Sequence, residues 1–535
     1  MTDNQLWPMR SVERDRDAVG NSKRRMPLLV AMVALVAVVA SACAGNSSND
    51  TNGATGTPVQ GGTLDVGLTI DITSLNPYDG SGDTTSMILA NLNAQLFKDY
   101  DHKVVPALAE SLTRSADGKT ATVTLRKGLK FSDGTPITPE DVVFSIEQAK
   151  AGSAYGSLYK EIITSEKASG EDKVDLTLVR PTPNLEALLS FPRAAIIPAN
   201  FGGKSKSEYL QKPVGTGPYM FISRQPGVSI QLKKNPNYWD SGKPYIDTLD
   251  FQVFNNNNAL TSAFQAKTVQ AIPFAPEASI PSLTGANIVN TAAAATEMFF
   301  INGRTGPLSD VKVRQAISMA IDREAIVKGL RGPGDKPTAT FVPASVLGSA
   351  HPAPVKGGDI EAAKQLLAAS SYKDGATIKV IYPTGDDTLA NTVQAMQAEV
   401  AKIGIKFDLQ ALDQGAWVND VLGGKYELAY QNISANGTTA DTTMQFFIAS
   451  GAYGGGWSTD VAKSALTKYQ TATDAAGQAA ALDEFQNWLS AELPVIPTVW
   501  LRPSLVLKGS VAGYQGLDTV TQQALPFEGL WLNKS

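Results

Sequence analysis

Few residues in this chain have the reactivity for bond-making chemistry. Its 535 residues include one cysteine, Cys43, and two histidines, His102 and His351. The histidines stand about 250 positions apart with no Cys or second His near either. A His-rich zinc or nickel cage cannot be built from them, and both are expected on the surface or in loops. Ser370 and Lys373 have the Ser-x-x-Lys spacing in which an amine can take a serine's proton. The Ser-Asp-Asn and Lys-Thr-Gly elements that must accompany it do not occur, and Ser370 falls at a helix end rather than a helix start, so the match is read as chance. There is no Gly-x-Ser-x-Gly elbow and no Walker A loop. Asp and Glu are plentiful, which leaves a carboxylate-only hydrolase open, but no pair is singled out by spacing. No catalytic residue, metal ligand or cofactor is therefore expected.

The thiol is different, because of its position. Cys43 follows a basic stretch, Lys23-Arg24-Arg25, and an apolar run from Met26 to Ala40. About 15 apolar residues are too few to span a bilayer core of about 30 Å, but they suit a secretory h-region. Ala40-Ser41-Ala42-Cys43 resembles a bacterial lipobox, in which the thiol receives a diacylglycerol and becomes the new N-terminus; Ala40 stands where Leu is more usual. A buried cysteine in a membrane helix is the competing reading. It has nothing apolar to continue into, since Ala44 to Gly62 is made of Gly, Ser, Asn, Thr and Pro with little else, the composition of a flexible tether.

Removal of residues 1–42 takes away a net charge of +2 and moves the chain from −5 to −7. Such a surface does not attract nucleic acid. With the only thiol used for lipid, the body holds no disulfide. About 490 residues exceed what one hydrophobic core supports, so two or more lobes are expected. No second apolar stretch is long enough to cross a membrane, and the body is expected to be tethered to one.

Hydrophobic periodicity then places the elements. Alternation predicts strands at Thr120 to Arg126, Val174 to Arg180, Ser229 to Lys233 and Leu249 to Phe254, the first after an Asp117-Gly118 turn. Thr138-Pro139-Glu140-Asp141 is a helix start, with Thr138 as N-cap, Pro139 where no N–H is needed, and an acid three residues on. Beyond residue 295 the period lengthens. Helices are expected after Ser309-Asp310, from Arg323 to Leu330 with Asp322 as cap, over Glu361 to Ala369 and over Leu389 to Ile403. Strands are expected at Thr377 to Tyr382 and Ile405 to Gln410, and this alternation predicts a mainly parallel sheet in a second lobe.

Several segments together resemble the solute-binding proteins of peptide-type ABC importers, extracellular solute-binding family 5. Pro106 to Ser111, Asp117-Gly118 and Leu125 to Ser145 (LRKGLKFSDGTPITPEDVVFS) are similar to that family's signature. Val214 to Tyr219 with Asn235 to Trp239, Val311 to Arg323 with Asn302 upstream, and Leu493 to Thr498 resemble its later motifs. The resemblance runs from about Gly62 to Tyr514. It implies an α/β, two-lobed periplasmic-binding-protein-like fold of the large type II peptide-binding class, closing on ligand by hinge motion. The expected division is a signal over 1–42, a tether over 43–62, lobe I over 63–295 with a subdomain inserted at about 98–205, lobe II over 296–500, and a return to lobe I over 501–535. The glycines flanking Thr216 suit either a tight turn by the hinge or a plain structural turn.

The resemblance also implies the partners and the site. The partners are a peptide or peptide-like solute, the transmembrane subunits of a permease with their ATPases, and a membrane reached through lipid on Cys43; the protein would be a monomer at the outer face of the cytoplasmic membrane. In peptide-binding members an aspartate after a lobe II strand takes the ligand's amino terminus. The matching stretch, Gly424 to Asn436, puts Asn436 there, and a neutral amide makes a weaker bond to an ammonium than a carboxylate does. Asp441 could restore the charge, or the pocket takes a solute of another kind, a glycan, opine, metal chelate or porphyrin. Trp417, Trp457 and Trp500 fall in segments that face the cleft in relatives, each equally readable as core. Thr84, Thr85 and Ser86 are further candidate polar contacts. A ligand-sensing receptor or a surface hydrolase are the readings from other classes.

Overall fold

In the computed structural model the described residues are 56–533, without 73, 80–82, 101–102, 153–155, 276, 291–294, 305, 333, 342–356, 435–439, 441–443, 446–447, 449–456, 458, 473, 503 and 515–524. Cys43, His102 and His351 lie outside them.

The chain builds three principal sheets. The first has seven strands, in the order Ala286–Asn290, Ser504–Lys508, Ala271–Ile272, Thr63–Leu68, Thr248–Val253, Ser229–Lys234 and Tyr219–Gln225. Its centre is parallel, Thr63–Leu68 lying between Thr248–Val253 and Ala271–Ile272, and its flanks are antiparallel. The alternating Leu64, Val66, Leu249, Phe251, Ile230 and Leu232 bury one face, each such side chain contributing about 1.5–3 kcal/mol. A four-stranded antiparallel sheet, in the order Ala109–Arg114, Thr120–Leu125, Lys173–Leu178 and Ile163–Ser169, is inserted between the first and last strands of that lobe and has its own core. The Pro139–Ala151 helix packs on it. Its start is held as its residues require: Thr138 N–H donates to Asp141 Oδ2 at 2.7 Å, while Asp141 Oδ1 accepts from Ala199 N–H at 2.7 Å.

The sheet of the second lobe runs Lys336–Pro337, Val495–Leu501, Ala295–Ile301, Leu428–Ser434, Ala376–Pro383 and Ile405–Leu412. It is mixed, not mainly parallel. Ala376–Pro383 is parallel to both of its neighbours, but the other three pairings are antiparallel. The periodicity saw the strand, helix and strand of Ala376–Pro383, Asp387–Ala401 and Ile405–Leu412, a parallel crossover unit; it could not see that the strand leaving lobe I and the strand returning to it must run in opposite directions beside each other.

The two crossings between lobes are adjacent. Asn290 pairs with Ser504 in the first sheet, and Ala295 pairs with Leu501 in the second, so the chain passes between sheets at one place in both directions. Ser504 Oγ donates to Asn290 Oδ1 at 3.0 Å, and Asp335 Oδ1 accepts from Arg502 N–H at 2.8 Å, bracing the pair.

Strand directions fix which end of each element faces this junction. Thr63–Leu68 runs toward it, so the Asp83–Leu92 helix begins near it and ends away from it. Gly215-Thr216-Gly217 meets the far end of that helix and is not a hinge turn: Cβ atoms at Gly215 and Gly217 would stand 2.0 and 2.6 Å from the carbonyl oxygens of Leu92 and Asn91. Close backbone approach, rather than turn geometry, is what excludes a side chain there. Thr216 Oγ1 accepts from Ala94 N–H at 2.9 Å and donates to Ile196 O at 3.1 Å, tying the helix end to the inserted subdomain.

Candidate interlobe binding site

On the lobe I side, the junction is faced by the end of the central strand and by the first turn of the Asp83–Leu92 helix. Thr84, Thr85 and Ser86 are all buried there. Ser86 is already engaged, since Arg193 of the inserted subdomain donates from Nη2 to its Oγ at 2.8 Å and from Nη1 to Pro77 O at 3.3 Å. Ile70, two residues beyond the central strand, leaves two thirds of its surface to solvent (67%) and supplies an apolar lip.

On the lobe II side the three tryptophans separate. Trp500 ends the returning strand, opposite Thr296 and Lys336, half-buried, with its indole N–H donating to Thr340 O at 3.3 Å. It stands at the junction. Trp457 does not: its indole N–H donates to Ile301 O at 2.9 Å, at the opposite end of the Ala295–Ile301 strand. Six residues of strand separate the two ends, about 20 Å. The Trp457 ring closes over Gly303, where a Cβ would be 2.0 Å from it, and stacks under the Arg314 guanidinium at 4.5 Å. Trp417 is 1% exposed and packs edge-on against Phe300 inside the core formed by Met298, Ile381, Val421 and Ala429. Trp417 is thus packed in the core on one flank of the sheet, and Trp457, half-buried, lies at the strand end remote from the junction. Asn436 and Asp441 lie outside the described residues; the strand preceding them ends at Ser434, level with Ala295.

Sequence reasoning missed a buried charged group beside the junction. Glu297, third residue of the strand leaving the hinge, is 1% exposed and ion-paired with Arg331 Nη2, itself 3% exposed. Tyr430 donates to Glu297 Oε2 at 2.7 Å and lies 2.9 Å from Thr498 Oγ1, which in turn donates to Glu297 O at 3.0 Å. Burial raises the Glu297 carboxyl above its usual range, against the opposing pull of Arg331 and the Tyr430 hydroxyl. The same burial raises the Tyr430 phenol well above its usual value. The signal was available: an acid within Ala295–Ile301, a strand otherwise made of apolar residues and Thr, must be buried with a partner.

The inserted subdomain also reaches lobe II. Thr182, Pro183 and Asn184 face Tyr469, Gln470 and Gln478 across a crevice of about 10 Å³. The lobes therefore meet at two places, the double crossing and this contact between a subdomain loop and two lobe II helices.

Residues 103–455 match the family model of bacterial extracellular solute-binding proteins, family 5 (middle), about two thirds of the chain. The chain belongs to this family. Among curated relatives, the family 5 protein is 29% identical over 394 residues to the glutathione-binding protein GsiB of Salmonella choleraesuis, covering 71% of this chain and 76% of that one. The GsiB of Escherichia coli O1:K1 / APEC is 28% identical over 392 residues, with the same coverage. Among solved structures, the substrate-binding protein CtaP of Listeria monocytogenes superposes with a TM-score of 0.80 at 24% identity, covering 89% of this chain and all of that one. Helicobacter pylori DppA in complex with the peptide STSA gives 0.76 at 21%, covering 89% of this chain and 99% of that one. AgaA of A. tumefacien R10 in complex with agropinic acid gives 0.73 at 25%, with the same coverage. The fold is thus the two-lobed periplasmic-binding-protein type, and the function is that of a solute-binding protein of ABC importers. Among the described residues no helix is long and apolar enough to cross a membrane.

Proposed function

We propose that this protein captures a peptide or peptide-like solute between its lobes and delivers it, chemically unchanged, to the transmembrane subunits of a permease driven by ATPases. The observation that carries this reading is the paired crossing at Asn290/Ser504 and Ala295/Leu501, a single junction with Trp500 and the buried Glu297–Arg331 pair on one side and the Thr84–Thr85 turn on the other. A large aromatic contributes contact area at small entropic cost, and the polar groups give orientation. The glutathione-binding and peptide-complexed relatives support a short peptide as cargo. Agropinic acid in AgaA, together with the amide at Asn436, supports an opine-like solute as the second reading.

In this reading the body is a monomer without cofactor, with no part in catalysis or nucleic-acid binding, held at the outer face of the cytoplasmic membrane by lipid on Cys43. Thr84, Thr85, Ser86, Trp500, Asn436 and Asp441 are proposed ligand contacts. The test is thermal melting of the mature protein against glutathione, di- to pentapeptide pools and agropinic acid. A true cargo at a hundredfold excess over Kd stabilises by about 2.7 kcal/mol and raises Tm accordingly. If none of these shifts melting, the solute assignment is lost. New products in the same incubations, seen by mass spectrometry, would convert the protein into a hydrolase; uptake that survives deletion of the neighbouring permease would convert it into a receptor. Intact-mass analysis of protein from its own host checks Cys43, which is expected to carry an acyl-modified N-terminus.

A further inference from the structure

At the end of lobe I opposite the junction, a cavity of about 290 Å³ lies where three pieces of chain meet: the far end of the Asp83–Leu92 helix, the loop leading into the Thr248–Val253 strand, and the C-terminal segment around Trp531. The strands between it and the hinge are six residues long, so it stands about 20 Å from the interlobe site. Its size is at the lower end of small-molecule sites. Pro58 forms part of its wall, and Gly61 N–H bonds Tyr245 O at 2.8 Å, so the chain joins the folded body beside it.

Its lining holds two lysines and an indole N–H beside one carboxylate. Glu528 is the one carboxylate, and both its oxygens are taken, Oε1 by Lys98 Nζ at 3.0 Å and Oε2 by the Tyr238 hydroxyl. Lys98 and Lys243 each have three N–H groups, and each shows one polar partner, Glu528 and Asp240 (3.1 Å). The Trp531 side chain is more than nine-tenths buried, and its indole N–H has no hydrogen-bond partner among the described residues. The Trp531 ring meets Tyr245 edge-on at 6.1 Å, so the donors are backed by flat apolar surface. A site whose one carboxylate is filled and which keeps spare donors, two of them cationic, is complementary to an anion.

We infer that this cavity is a second binding site, for a small organic carboxylate with a flat apolar body, separate from the cargo cleft. The carboxylate accepts from Lys98, Lys243 and the Trp531 indole while its body lies against Tyr245 and Trp531. This site stands whether or not the interlobe cleft takes peptides.

The probes are indole-3-acetate, its neutral amide indole-3-acetamide, and inorganic phosphate, titrated calorimetrically into the full mature protein. Indole-3-acetate is expected to bind. Indole-3-acetamide and the Lys243→Met variant should each weaken binding about tenfold, the value of one charge-assisted hydrogen bond. Trp531→Phe, which keeps the six-membered ring and removes the N–H, should weaken it about fivefold, with a single cooperative melting transition showing that the fold is intact. Trp500→Ala, in the cleft, should leave this Kd unaltered. Binding of phosphate as tight as that of indole-3-acetate would overturn the apolar-body assignment. Absence of heat up to about 10 mM probe, the weak end of specific binding, equal affinity for acid and amide, or Kd values indifferent to Lys243→Met and Trp531→Phe would overturn the site.

Discussion

Two helix-end regions, one in each lobe, tie stretches of chain together with different chemistry. At the far end of the Asp83–Leu92 helix, lobe I uses neutral amides and hydroxyls. Asn91 donates from Nδ2 to Met87 O and Leu525 O and accepts from Phe527 N–H at Oδ1, while Thr216 joins Ala94 and Ile196. Around the Val311–Ala320 and Arg323–Leu330 helices, lobe II uses guanidinium groups. Arg314 donates to Glu492 O, Leu308 O and Ser309 O; Arg323 donates to Pro497 O, Ser318 O and Ser318 Oγ. The difference follows from what must be satisfied. In lobe I, N–H and C=O groups from separate segments converge, and an amide or hydroxyl serves both. In lobe II, helix ends and a strand present carbonyls alone, and a guanidinium, all donor, spans several at once.

This contrast can be broken by mutation. Arg323→Met should have the largest effect. It strands the buried carbonyls of Pro497 and Ser318, each costing about 1–3 kcal/mol, so a loss of about 3 kcal/mol or more is expected in urea unfolding of the mature protein. Burial holds the Arg323 guanidinium down to about 10, still charged at neutral pH, so its loss removes a cation as well as donors. Asn91→Ala should cost about 2 kcal/mol, since one donor pair and one acceptor go together, and should open the segment around Leu525 to limited proteolysis; intact resistance there would show that the C-terminal return is held by packing alone. Tyr430→Phe should cost about 1 kcal/mol, read as a fall in Tm, because Glu297 keeps Arg331 when the phenol is removed.

The smallest effect concerns pH. The Ser371 and Lys312 backbone N–H groups hold Asp310 below the usual carboxylate range. A group depressed in the folded state contributes stability above its unfolded pKa of about 3.8 and loses it as pH falls through the lower, folded value. Asp310→Asn should therefore flatten the acid limb of stability below about pH 4, leaving its slope unchanged above pH 5. An unaltered acid limb would assign that loss to other carboxylates.

Local signals were legible where neighbours in sequence make the structure. The Thr138 to Asp141 helix start, the Asp310 and Asp322 caps and the Ile405–Leu412 strand all stand at or within a few residues of their sequence readings. Caps and alternation act over three or four residues, and side chains report them directly. Sheet order was not legible, because lobe II's strands pair with segments up to about 200 residues away. The tryptophans show the same limit: Trp417, Trp457 and Trp500 offer identical chemistry, and only their places in the fold separate the one at the junction from the one in the core and the one at the far strand end.

What the sequence determined by itself is the class of molecule, through short motifs of a solute-binding protein family. Tertiary structure alone decided that Glu297 meets Arg331, that Trp500 rather than Trp417 reaches the junction, and that Lys98, Lys243 and Trp531 converge on one cavity. The physical reason is range. Composition, caps and period are properties of short windows, whereas burial and charge pairing depend on which remote windows the packed core brings within a few ångströms.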